Sequence, residues 1–154
     1  HLSIRRQRQM CIRDRRKNWG LEIRLMKLII SSNPKELRKV RLEIELYCKA
    51  NFTNLDSSKA IIAVDEALQN VMRHAYDMKP DQLIDIFFKK TELNDFEVKI
   101  RDYGKQSPLE NIKSRDLKDI RPGGLGVYFI KQCSKSSEYK HLPNGIGTEL
   151  TLVF

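Results

Sequence analysis

The sequence predicts an α/β domain of the α+β two-layer sandwich type: a mostly antiparallel mixed sheet of about five strands with helices on one face. Three observations carry that expectation. The elements read in the order β-α-α-β-β-lid-α-β-β, two neighbouring strand pairs are joined by short turns, and the helical stretches are apolar along one side only.

Residues 21–30 are rich in branched apolar side chains and read as a first strand. Asn33, Pro34 and Glu36 form a helix start, with Asn33 as cap, Pro34 at the first helical position and Glu36 where a capping-box acid belongs. That helix runs to about Lys49 with Leu37, Val40, Ile44 and Tyr47 at helical spacing. After a polar link, Asp56 or Ser57 caps a second helix that ends near Tyr76, before Met78-Lys79-Pro80. Strands at 82–90 and 95–102 form a hairpin through Asn94-Asp95. A long polar segment from Gly104 to Gly123 has the length of a functional loop. A third helix opens at Gly123-Gly124-Leu125-Gly126 and runs to Cys133, and two strands, 136–142 and 147–154, close the domain.

Composition narrows the function classes. The chain has 154 residues, 40% of them apolar and 32% charged, which suits one domain with a proper core. Its apolar runs are too short to cross a bilayer, so no membrane segment is expected. The cysteines at 11, 48 and 133 have no paired spacing, which fits neither a disulfide framework nor a zinc knuckle and suits a reducing, cytoplasmic setting. The net charge is +9, but residues 1–19 hold seven basic residues against Asp14 alone and account for six of those charges. This arm lacks aromatic interleaving and a signal-peptide core, so direct nucleic-acid binding is not expected. The string Met10-Cys11-Ile12-Arg13-Asp14-Arg15 resembles a translated sequencing adapter. Residues 1–19 are accordingly read as a disordered or non-native tail, and 20–154 as the domain.

Four stretches carry candidate chemistry. On the second helix Glu66, Asn70 and His74 recur every fourth residue and share a face, opposite Ala60, Ile61, Val64, Ala67, Leu68, Val71 and Ala75. Taken alone, that polar stripe is most simply a solvated face. In the second strand of the hairpin, Phe96, Val98 and Ile100 alternate onto one face, and the same period places Asp102 there. A carboxylate at a core-facing strand end needs hydrogen-bond donors, unless Asp102 simply caps the turn before Gly104. The glycines at 123, 124 and 126 leave backbone free for close approach to an anion at a helix start. They match neither a Walker A loop nor a dinucleotide fingerprint. In the last strand Thr148 shares a face with Leu150, Leu152 and Phe154.

The order of these signals is more specific than any of them. Glu66-x-x-x-Asn70 with His74-Ala75, then Asp102-x-Gly104, Gly124-Leu125-Gly126 and Gly145-x-Gly147-Thr148, resembles the four nucleotide-binding boxes of the GHKL (histidine kinase-like) ATPase superfamily, whose fold is the Bergerat-type ATP-binding fold. The likeness covers roughly residues 21–154. It is nearest to the stand-alone anti-sigma-factor serine/threonine kinases, given the small size, the short lid into Arg121-Pro122-Gly123-Gly124-Leu125-Gly126 and an end directly after the last strand. The helix at 34–49 contains no His for a phosphoacceptor hairpin, which disfavours a histidine kinase.

The resemblance implies roles. Glu66 is the general base toward the attacking hydroxyl, and Asn70 the Mg²⁺ ligand. Asp102 accepts the adenine amino proton, Gly104 lets the base lie against the backbone, and Thr148 supports that end. Gly124, Leu125 and Gly126 form the phosphate box, Arg121 meets the γ-phosphate or a partner, and His74 is structural. Gln106 stands where many relatives of this superfamily carry a second glycine. The implied function is an ATP- and Mg²⁺-dependent serine/threonine-protein kinase acting as an anti-sigma factor on a STAS-type anti-anti-sigma protein. A sigma factor and a homodimer partner are further options. The alternative is a non-catalytic module of the same fold that grips a protein when nucleotide orders the lid.

Overall fold

The structure, a computed structural model, describes residues 13–14, 25–112 and 125–154. Its strands are β1 (Arg13–Asp14), β2 (Leu25–Ser31), β3 (Leu83–Lys90), β4 (Phe96–Arg101), β5 (Ser136–His141) and β6 (Thr148–Val153). They form one sheet in the order β1-β2-β3-β4-β6-β5, and every described pairing is antiparallel. The expected sheet of about five strands is therefore β2 to β6. The two-residue β1 adds a short edge, within a stretch read from sequence as tail.

Helices α1 (Leu37–Asn51), α2 (Ser57–Asn70) and α3 (Gly126–Cys133) supply the second layer, and α2 packs between the other two. Asn33 accepts from the Lys35 amide at 3.0 Å, as its cap position demands. Residues Pro34–Glu36 form a 3₁₀ turn first, so Glu36 makes no side-chain capping bond. Of the two candidate caps for α2, Asp56 serves, accepting from the Ser58 amide at 2.9 Å.

Register follows the hydrophobic alternation. Leu28, Ile86, Ile100 and Leu150 lie in line across β2, β3, β4 and β6, all on the buried face. One row over, Phe88, Val98 and Leu152 do the same. The opposite face carries paired charge: Lys27 meets Asp85 at 2.7 Å and Arg101 meets Glu149 at 2.6 Å. Among the described residues, no helix is long and apolar enough to cross a membrane.

The far end of the core is aromatic. Phe96 is fully buried, with ring centroids of Tyr47, Phe52, Phe88 and Phe154 between 5.4 and 6.0 Å away. This cluster ties α1, β3, β4 and the C-terminal residue into one unit, away from the polar stripe of α2. Phe96→Ala is expected to lower unfolding free energy by about 3–5 kcal/mol in a urea titration. A loss under about 1 kcal/mol would mean that the cluster is not a packing centre.

Candidate functional site

Helix α2 does not stop at Asn70. Val71–Ala75 continue as a π turn, in which the Tyr76 amide reaches back to the Val71 carbonyl at 3.2 Å. Such a wider turn rotates the later residues relative to an unbroken α-helix. His74 therefore leaves strict line with Glu66 and Asn70, and it is exposed.

Glu66 and Asn70 are both half-buried, and the start of α3 lies against them. A β-carbon added at Gly126 would sit 2.8 Å from Glu66 Oε2 and 3.3 Å from Asn70 Nδ2. A β-carbon there would crowd the movable end of the Glu66 side chain, and without one the start of α3 lies directly against a carboxylate and a carboxamide. Leu125 precedes α3 and is largely exposed. Gly124 and Arg121 fall outside the described residues.

The second cluster lies just past the C-terminal end of α2, beside the π turn. Asp102 is 4% exposed, in phase with Phe96, Val98 and Ile100, as the strand period requires. Burial pushes its carboxyl above the ordinary carboxylate range, while the amides of Gly104 and Thr148 pull the other way. Oδ1 accepts from the Gly104 amide at 3.0 Å, the bond of an Asx turn, so both sequence readings of Asp102 hold at once. Gly104 rests on the end of α2: an added β-carbon would fall 2.3 Å from the Ala75 carbonyl oxygen. Thr148 is half-buried at the start of β6, and its carbonyl accepts from the Asp102 amide at 3.0 Å.

The Asp102 turn and the glycine loop before β6 are built as one piece. The Gly147 amide donates to the Gly104 carbonyl at 2.7 Å. Gly147 has φ +80°, and a β-carbon there would meet the Asp102 carbonyl oxygen at 2.5 Å. Gln106, at the position of the missing glycine, donates from Nε2 to the Leu142 carbonyl at 3.0 Å and the Gly147 carbonyl at 2.8 Å. It fastens this loop. Sequence reasoning assigned no such role to Gln106 or Gly147, nor to Tyr76, whose buried hydroxyl accepts from the Tyr103 amide at 2.7 Å. The available signal was an aromatic with a polar tip at a helix end, which needs a partner once buried.

A sheet covered on one side by three helices, with an acid–amide pair under a glycine helix start and a buried aspartate beside the turn that follows the pair, defines a class. A family model described as histidine kinase-like ATPase domain matches residues 30–154, and the chain belongs to that family. Within it, the chain is similar to the serine-protein kinase RsbW of two Staphylococcus aureus strains, bovine RF122 and MRSA252. Each is 31% identical over 102 residues, covering 60% of this chain and 64% of the relative. The match thus spans a little under two thirds of those relatives.

Two solved structures share the fold. One holds the RsbU and RsbW domains of Rv1364c from Mycobacterium tuberculosis, at TM-score 0.59 and 14% identity, over 84% of this chain and 31% of that one. The other is the SiaB–SiaC complex from Pseudomonas aeruginosa, at TM-score 0.58 and 16% identity, over 82% of this chain and 89% of that one.

The two loop glycines separate space from conformation. Gly145 has φ +74° but nothing within 4 Å of an added β-carbon. Gly145→Ala should cost about 1–2 kcal/mol, the left-handed penalty alone. Gly147→Ala should cost at least about 1 kcal/mol more, because overpacking adds to that penalty. Equal losses in thermal unfolding would contradict the clamp between Gly147 and Asp102.

Proposed function

We propose that the chain binds ATP with Mg²⁺ and phosphorylates a serine or threonine of a small STAS-type protein, as an anti-sigma regulatory kinase. The observation that carries this reading is Gly126 lying against Glu66 and Asn70 in the C-terminal part of α2, with the buried Asp102 turn seated against the π turn that follows. From Glu66 to Ala75 the helix axis advances roughly 13 Å. That span suits an adenosine triphosphate laid along α2, with its base at the Asp102 turn and its γ-phosphate near Glu66. The family is one of ATPases, and the similar RsbW proteins are named serine-protein kinases. That one structural neighbour was solved as a two-protein complex fits a domain that docks a partner.

Each residue then has a role. Asp102 accepts from the adenine amino group, and Gly104 leaves room for the base plane. The α3 start, with Gly124 and Gly126, offers amides to the phosphates, where the helix dipole favours negative charge. Leu125 belongs to the same segment, and Arg121 is assigned to the γ-phosphate or the partner. Asn70 offers a hard amide oxygen, fit for one position of an Mg²⁺ ion whose other ligands are water and phosphate oxygens. Bound there, Mg²⁺ would offset phosphate charge. Glu66 takes the proton from the attacking hydroxyl as its oxygen bonds to the γ-phosphorus and the bond to ADP breaks.

Glu66→Gln should cut phosphate transfer to a STAS-domain protein from the same genome at least 100-fold, read with labelled ATP, while leaving Mg-ADP affinity within about threefold. Undiminished transfer would remove the base role from Glu66. Nucleotide capture of the partner without transfer in the wild type would favour the non-catalytic module.

Asp102 also sets a pH dependence. Its carboxyl is raised, so protonation comes at higher pH than for an ordinary aspartate. The ionised carboxylate is the better acceptor for the adenine amino group. Mg-ADP affinity should therefore be full above the raised pKa and fall as pH drops through it. Asp102→Asn should bind weakly and lose that dependence. A wild-type affinity that stays flat across the acid range would separate Asp102 from the base.

A further inference from the structure

Four consecutive amides make the turn that presents Asp102, and each has its own acceptor. Asp102 donates to the Thr148 carbonyl at 3.0 Å, and Lys105 to the Ala75 carbonyl at 3.1 Å. Gly104 donates to Asp102 Oδ1 at 3.0 Å, and Tyr103 to the Tyr76 hydroxyl at 2.7 Å. Of these acceptors, the Tyr76 phenol is the one side chain supplied from outside the turn. It is also the one that substitution can delete without altering the backbone or the carboxylate.

Tyr76 is 6% exposed and directly succeeds the π turn of α2. Its hydroxyl donates to the Leu83 carbonyl at 2.6 Å, which leaves a lone pair for the Tyr103 amide. Both bonds therefore have a defined direction. Burial is the main cause pushing the phenol up to about 12, so it keeps that proton at neutral pH. Removing the oxygen leaves a part-buried N–H without its acceptor, which costs more than losing a fully solvated bond. The turn would then shift to find another acceptor, and the Asp102 carboxylate, one residue away, would shift with it.

We propose that Tyr76 is a positioning residue for nucleobase selectivity: acting through the Tyr103 amide, it holds the Asp102 carboxylate where an adenine amino group can donate to it. This rests on the ATP reading above and adds a residue that does not touch the nucleotide. Base choice is the sensitive property. Adenine presents a donor at the position where guanine presents an oxygen, so a carboxylate fixed there accepts from one and repels the other. Discrimination built on a buried hydrogen bond is large, but it depends on the acceptor being held in place.

The test is calorimetric titration of the full chain with Mg-ADP and Mg-GDP, for wild type, Tyr76→Phe and the core control Ile44→Val. Wild type should prefer ADP. Tyr76→Phe should lose about tenfold in ADP affinity, with GDP affinity changed by less than about twofold, so the ratio contracts. Ile44→Val should unfold at lower temperature and keep the wild-type ratio, because Ile44 lies in the α1 core. A folded Tyr76→Phe with the wild-type ratio overturns the proposal. Should that variant not fold, amide exchange in the wild type decides. A Tyr103 amide protected in the nucleotide-free protein supports the bond, and exchange at the rate of an open loop overturns it. Wild type that binds neither nucleotide removes the ATP reading as well, whereas ADP binding with an unchanged ratio in Tyr76→Phe removes this inference alone.

Discussion

The site depends on how closely the Asp102–Lys105 turn approaches the end of α2. Gly104 lies so near the Ala75 carbonyl that a side chain there has no room, and the Lys105 amide bonds to that same carbonyl. Pressed against the helix end, the turn can bring a carboxylate into the core with its hydrogen bonds already made. A buried, unsatisfied carboxylate would be expensive, and the amides around Asp102 are what make this one tolerable. The same approach fixes Tyr103, since its amide reaches the residue after Ala75. It also fixes Gly147, which packs on the far side of the turn. One helix thus carries the acid–amide pair near its middle and supports the Asp102 turn at its end.

Much of the fold was legible because hydrophobic period and turn chemistry agreed along the chain. The alternation Phe96, Val98, Ile100, Asp102 gave the face of β4 and the burial of its aspartate. Asn33, and the pair Asp56 and Ser57, marked two helix starts through local capping chemistry, and the structure chooses Asp56 of that pair. The sheet, expected to be mostly antiparallel, is antiparallel in every described ladder, since hairpins join β3 to β4 and β5 to β6. The first strand reads from residue 21 in the sequence, and its described part starts at Leu25.

What escaped had causes that local pattern does not contain. The π turn after Asn70 breaks the every-fourth-residue stripe, and neither Gly nor Pro announces it. An unbroken helix would have kept His74 beside Asn70. Gln106 looked like a departure because a glycine was expected there. Its amide instead spans two carbonyls from a loop some forty residues on, which no spacing rule predicts. Arg121 and Gly124, singled out from sequence, lie outside the described residues, so their assignment still rests on the motif. Glu66 and Asn70 changed most. Alone they made a solvated stripe, and the close packing of Gly126 leaves both half-buried beside the start of α3.

The proposed site stands on an adenine nucleotide lying lengthwise along α2, and a crystal structure of the chain with Mg-ADP would show whether it does. The adenine amino nitrogen is expected within about 2.7–3.2 Å of an Asp102 carboxylate oxygen, and the metal ion on the Asn70 amide oxygen. A nucleotide bound with its base away from Asp102, or held outside the space between α2 and α3, would contradict it.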